Sequence, residues 1–145
     1  MSQTVEQALQ QARFLADEQD YTLVKLPPGA IIAAAGVLAE IGEPFAAILA
    51  DRDEVTLVIP AEAAADFAPR LPGHQLSPTA YRLITFDVAL EPELVGFTAR
   101  IASALAAEGI SLLPYAAFTR DHILVAAADV ERALAALRRL QAAIV

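Results

Sequence analysis

The sequence predicts an α+β protein of two successive β-α-β-β-α halves, with antiparallel sheets backed by helices and a degenerate first half. Three observations predict it. Arg82 to Val125 reads as strand, helix, strand, tight turn, strand, with Gly96 at the head of the helix and Gly109 just past its tail. Tyr21 to Ala68 is a poorer copy of the same pattern. Between them, Pro69 to Pro78 holds three prolines and a glycine, the one convincing break in the chain.

The elements follow in order. Val5, Ala8, Leu9, Ala12, Leu15 and Ala16 share one face at helical spacing, so Thr4 to Asp17 reads as a helix. Thr4 followed by Gln7 fits a capping box. Tyr21 to Leu26 reads as a strand stopped by Pro27, Pro28 and Gly29. Ile31 to Ile41 is apolar throughout and its period is ambiguous; a short helix ended by Gly42 and Pro44 fits it. Phe45 to Ala50 and Val55 to Pro60 form a hairpin around Asp51-Arg52-Asp53-Glu54, and Ala61 to Ala68 is a short helix.

The second half is cleaner. Arg82 to Leu90 is a strand, and Pro92 suits the first turn of the next helix, where its missing N–H is not needed. Phe97, Ile101, Ala104 and Leu105 form the helix face that covers a sheet, and Gly109 suits a left-handed cap. Ile110 to Phe118 and His122 to Ala126 form a hairpin around Thr119-Arg120-Asp121. Asp129 caps a last helix with the stripe Val130, Ala133, Leu134, Leu137 and Leu140.

Arg52-Asp53-Glu54-Val55 and Arg120-Asp121-His122-Ile123 occupy equivalent hairpin turns, which marks an internal repeat. The first helix of the first copy reads as reduced. The organisation expected is an N-terminal helix over 1–19, a degenerate half over 20–70, a linker over 71–80 and a second half over 81–145. The second half lacks a fourth strand after Leu140, so its open edge must be covered, by Tyr21 to Leu26 or another strand from the first half.

Composition narrows the function. The 145 residues are 57% hydrophobic and 19% charged, which excludes general disorder. A net charge of −8, with no basic cluster beyond Arg138 and Arg139, argues against nucleic acid and against anionic membrane surfaces. There are no cysteines, so disulfides and thiolate chemistry are excluded. MSQTVEQALQQ lacks the features of a signal peptide, and no apolar run approaches a membrane span, so a cytoplasmic location is expected.

The Arg82–Val125 unit resembles the ACT domain. Gly96, Ile101, Leu105, Gly109 and Ile110 fit that family's spacing, while Val95, Thr98 and Ser111 stand where the family has Pro, Leu and Asn. ELVGFTA, the Gly-Ile helix exit and RDHILV together are similar to a bacterial family of small tandem ACT-domain proteins, distantly like ACT-type amino-acid sensors. The close resemblance covers Tyr81 to Leu140. It implies two ferredoxin-like βαββαβ halves and an amino acid bound at the interface between them, against the loop joining the first strand to the first helix. On that loop a ligand carboxylate would meet the N–H groups of Val95, Gly96 and Phe97, with Thr98 as a hydroxyl donor.

Two further residues are candidate ligand contacts. His122 opens a strand near the repeat seam, where it is a ligand contact or pH-sensitive group; the alternative, a histidine tied into the hairpin turn beside Asp121, is favoured. Asp87 lies within an apolar strand, as a carboxylate for a ligand ammonium or as a solvent-facing residue, the two being equally weighted. Two histidines, His74 and His122, make a weak metal argument, and no cofactor is expected. Ser77, Ser103 and Ser111 lack a nucleophile-elbow context, and no phosphate-binding loop is present. The expected function is a non-enzymatic regulatory protein binding a small molecule, an amino acid, with homodimerisation as a candidate assembly. The alternative is an interaction module that binds a partner protein and no ligand.

Overall fold

The computed structural model describes residues 2–144. They form two compact units: one takes the residues up to Glu18 and those from Arg82 onward, the other is Gln19–Tyr81.

The chain opens with helix α1 (Val5–Gln11). The Thr4 hydroxyl accepts from Gln7 N–H at 3.1 Å and Gln7 Oε1 accepts from Thr4 N–H at 2.9 Å, the capping box the sequence predicts. Periodicity extends this helix to Asp17, but it ends at Gln11. Ala12 turns extended (φ −67°, ψ 136°) and Arg13–Leu15 forms strand β1. Seven residues make few internal hydrogen bonds, so pairing elsewhere wins over helical spacing. Phe14, at the centre of β1, packs edge-on to Phe86 at 5.8 Å between ring centroids.

The unit Gln19–Tyr81 contains β2 (Asp20–Leu26), a 3₁₀ turn at Pro28–Ala30, α2 (Ile31–Ile41), β3 (Ala47–Ala50), β4 (Val55–Pro60), α3 (Ala61–Phe67) and β5 (Gln75–Leu76). Its strands run in the order β3-β4-β2-β5. Val24, Leu26, Leu57 and Ile59 face Ala34 and Val37 of α2 and Ala64 of α3 in one core. The ambiguous apolar segment is therefore a helix. It is eleven residues long, the same length as its counterpart in the other unit, so the reduced first helix read from the sequence is corrected. Residues 71–80, read as a linker, hold Leu71 in the core and β5 paired antiparallel to β2, with Lys25 opposite Gln75. The Ser77 hydroxyl accepts from Leu23 N–H at 3.1 Å.

The remaining elements are β6 (Tyr81–Asp87), α4 (Phe97–Ala107), β7 (Leu113–Ala116), β8 (Asp121–Ala126) and α5 (Val130–Ala142). The strands β7, β8 and β6 lie side by side in that order. β1 completes this sheet by pairing antiparallel to β6, with Phe14 opposite Phe86 and Arg13 opposite Asp87. One core gathers Ile84 and Phe86 of β6, Ile123 and Val125 of β8, Ile101 and Leu105 of α4, and Leu134 and Leu137 of α5. Each unit thus presents the same strand order, with its first strand flanked by its third and by a short closing strand: a ferredoxin-like sheet with helices on one face.

Two expected helix starts differ. α4 begins at Phe97, and Pro92 lies in the turn before it. Asp129 precedes α5, but its carboxylate accepts from Arg132 Nη1 at 2.9 Å instead of from a helix N–H. Among the described residues no helix is long and apolar enough to cross a membrane.

Candidate functional site

Gly96 sits at the N-cap of α4 with φ +98° and ψ 0°, a conformation that side-chain-bearing residues rarely adopt. No side chain caps this helix. The N–H groups of its first turn therefore have no partner within the helix and point back along its axis, where the peptide dipoles leave partial positive charge.

These groups border a cavity of ≈ 260 Å³. One wall is the loop after β6, through Leu90, Glu91, Pro92 and Leu94. A second is the head of α4, from Gly96 to Ala99, and the third is the β7–β8 turn, through Ala117, Phe118, Thr119 and Asp121. Leu90 N–H donates to Thr119 C=O at 2.8 Å, fixing the loop against the turn. Gln3 holds the loop from outside: its backbone N–H donates to Glu91 Oε2 at 2.9 Å, and its side chain donates to Ala89 C=O at 3.0 Å and accepts from Glu91 N–H at 3.1 Å.

The cavity is chemically two-ended. The helix head offers N–H donors, and two acidic residues, Glu91 and Asp121, are among the lining. The Thr98 hydroxyl donates to Asp121 Oδ2 at 3.3 Å, so the two ends meet across the opening. No cationic side chain lines it.

The sequence-derived residues divide into two sets. Gly96, Phe97 and Thr98 line the cavity. Phe97 contributes its backbone, because its ring is buried edge-on to Phe86 at 5.6 Å. Val95 lies beside the opening, 85% exposed, and outside the lining. Asp87 and His122 do not join that set. Asp87 ends β6 between two guanidiniums: Arg13 Nε and Arg120 Nε each donate to it at 3.0 Å. Hydrogen bonds from Arg13 and then Arg120 lower its pKa below the usual carboxylate value. His122 is on the sheet face away from the helices, since its neighbour Ile123 faces the core. Its Nδ1 is 2.8 Å from the Thr85 hydroxyl. Burial lowers its pKa, with a smaller push the same way from Arg120, against an opposing pull from Asp121.

The sequence offers Glu91 and Glu93 as acids for a ligand amine, with acids stabilised at a helix N-terminus as the favoured reading. Glu91 lines the cavity, and Asp121, Leu90, Leu94 and Phe118 were not found from the sequence. The signal available was the hairpin turn Thr119-Arg120-Asp121, which the strand order folds back over the head of the preceding helix. Among the described residues there is no cluster of three or more His, Cys, Asp or Glu suited to a metal ion.

Residues 76–139 match the ACT domain. The chain contains an ACT domain. At 30% identity this ACT-domain protein is similar to a Vibrio cholerae protein of unknown function, described as a possible transport protein; the likeness covers 94% of this chain and 95% of that one, with a TM-score of 0.74. It is also similar in fold to an Agrobacterium tumefaciens protein at 21% identity (90% and 89% covered, TM-score 0.71). The ligand-free regulatory subunit of aspartate kinase from Thermus thermophilus shares the fold at 17% identity (90% and 96% covered, TM-score 0.71). No curated protein sequence matches the ACT-domain protein.

Proposed function

We propose that this ACT-domain protein is a non-enzymatic regulatory protein that binds a free amino acid in the cavity at the head of α4. The observation that carries the reading is the uncapped helix N-terminus at Gly96, sharing its cavity with two acidic residues, Asp121, whose carboxylate accepts from the Thr98 hydroxyl, and Glu91. A simple anion would find the helix head but would be repelled by the two acids. A zwitterion satisfies both: its carboxylate accepts from the N–H groups of Phe97 and Thr98, and its ammonium lies against Asp121 and Glu91. The likeness to a regulatory subunit of aspartate kinase supports a regulatory role. Titration calorimetry against the standard amino acids tests it. Binding by one or a few of them, weakened in Asp121→Asn, is the expected result. Folded protein that gives no heat with any of them would defeat the reading.

A second reading is favoured by two exposed apolar side chains beside the opening, Val95 at 85% and Phe118 at 97% exposure. In it this rim docks a partner protein. A stable partner lost in Phe118→Ser, with calorimetry silent, would select it.

A further inference from the structure

The unit Gln19–Tyr81 carries a second cavity, of ≈ 320 Å³, built from its own strands. Lys25 on β2 stands in register between Thr56 on β4 and Gln75 on β5. Directly paired residues project to the same side of a sheet, so an ammonium, a hydroxyl and an amide form one row across three strands. All three line the cavity, together with Leu23, Leu76 and the carboxylate-bearing Glu54.

Lys25 Nζ and Glu54 Oε2 are 3.8 Å apart, with side chains 60% and 42% exposed. A pair that long and that exposed contributes little to stability, so separating it costs little. Its two charges can therefore turn to a ligand. The equivalent turn position in the other unit holds His122, hydrogen-bonded to Thr85, a neutral pair at neutral pH. The charged pair is thus a property of this unit and not of the repeated fold.

From this row we infer that the first unit holds a second small-molecule site, for an α-amino acid with an aliphatic side chain. Lys25, Thr56 and Gln75 take the carboxylate, Glu54 takes the ammonium, and the aliphatic chain covers Leu23, which shares the Lys25 face of β2. The site is independent of the cavity at Gly96, sharing no lining residue with it.

The test is amide NMR of the full-length, nitrogen-labelled protein, titrated with leucine, with its amine-free analogue isocaproate and with its carboxylate-free analogue isopentylamine. Saturable shifts with leucine at residues 23–25, 54–56 and 75–77 are expected. Lys25→Ala should weaken them about tenfold or more, as should removal of either charged group from the ligand. Glu54→Gln should weaken leucine but leave isocaproate unchanged. Thr56→Val supplies a second, conservative lesion should Lys25→Ala disturb the sheet. Equal binding of isocaproate and leucine would overturn the assignment of Glu54 and with it the ligand class. An absence of shifts at these residues would overturn the site. Shifts confined to residues 90–98 and 117–121 would do so too while upholding the cavity at Gly96.

Discussion

The Thr85 hydroxyl and His122 Nδ1 meet at 2.8 Å between β6 and β8, on the sheet face away from the helices. Burial there lowers the pKa of His122 from 6.5, so the folded protein binds this proton less readily than the unfolded chain. The neutral imidazole therefore contributes stability that is fully present above about pH 6.5 and is lost as pH falls from there through the lower folded value. Denaturant midpoints measured from neutral to mildly acidic pH should fall across that window. His122→Asn should flatten that part of the profile, because asparagine does not titrate.

Asp87 behaves with the same sign at lower pH. Arg13 and Arg120 hold its pKa below 3.8, so its contribution is present above that value and is lost as pH falls through the folded value. Asp87→Asn should lower the neutral-pH stability, because it removes the negative charge and leaves one accepting oxygen where two guanidiniums each had one. Added salt should narrow the gap between wild type and variant, since these charges are solvent-screened. Urea melts at low and high salt would show it.

Gly96→Ala tests the helix head. The nearest atom to an added Cβ is Val5 Cγ2 at 3.7 Å, ordinary contact, so space is not the obstacle. The obstacle is φ +98°, and forcing alanine into it costs about 1–2 kcal/mol. Either that loss appears directly in chemical denaturation, or the loop relaxes and amino-acid affinity falls in its place.

Two phenylalanines near the cavity should respond in opposite ways. Phe97 is buried and packed on Phe86, so Phe97→Ala should cost about 3–5 kcal/mol. Phe118 is 97% exposed, so Phe118→Ala should change stability by no more than about 0.5 kcal/mol. A large stability loss in Phe118→Ala would show that this ring is covered in solution.

Local chemistry was the part legible in the sequence. The Thr4–Gln7 box, the glycines at 96 and 109 and the hairpin at Asp51 announce themselves by residue type. Asp51 Oδ1 indeed accepts from the N–H groups of Asp53 and Glu54 at 2.8 and 2.9 Å. What escaped depended on partners far along the chain. Arg13–Leu15 is a strand because β6 is there to receive it, and nothing within those three residues outweighs the helical period around them. Gln75–Leu76 is a strand for the same reason, inside a stretch whose prolines read as a break. At the site, Gly96 was readable as a glycine between a strand and a helix, and Val95, Phe97 and Thr98 were named beside it through the resemblance. Glu91 was readable as an acid beside Pro92, whereas Asp121 became visible once the β7–β8 turn was placed against that helix. Asp87 was readable as a polar residue in an apolar strand, but its two arginine partners come from β1 and from the turn before β8.

The pairing of Arg13–Leu15 with Thr85–Asp87 also sets an order of assembly. The ribosome makes β1 well before the strand it needs, and the whole of Gln19–Tyr81 is synthesised in between. Until β6 has emerged, Phe14 has no ring to pack on and the first residues of the chain wait undocked. A fragment beginning at β6 would inherit a sheet with its edge uncovered, open to strands from other chains. Adding a peptide spanning α1 and β1 should close that edge, as a missing strand supplied from outside.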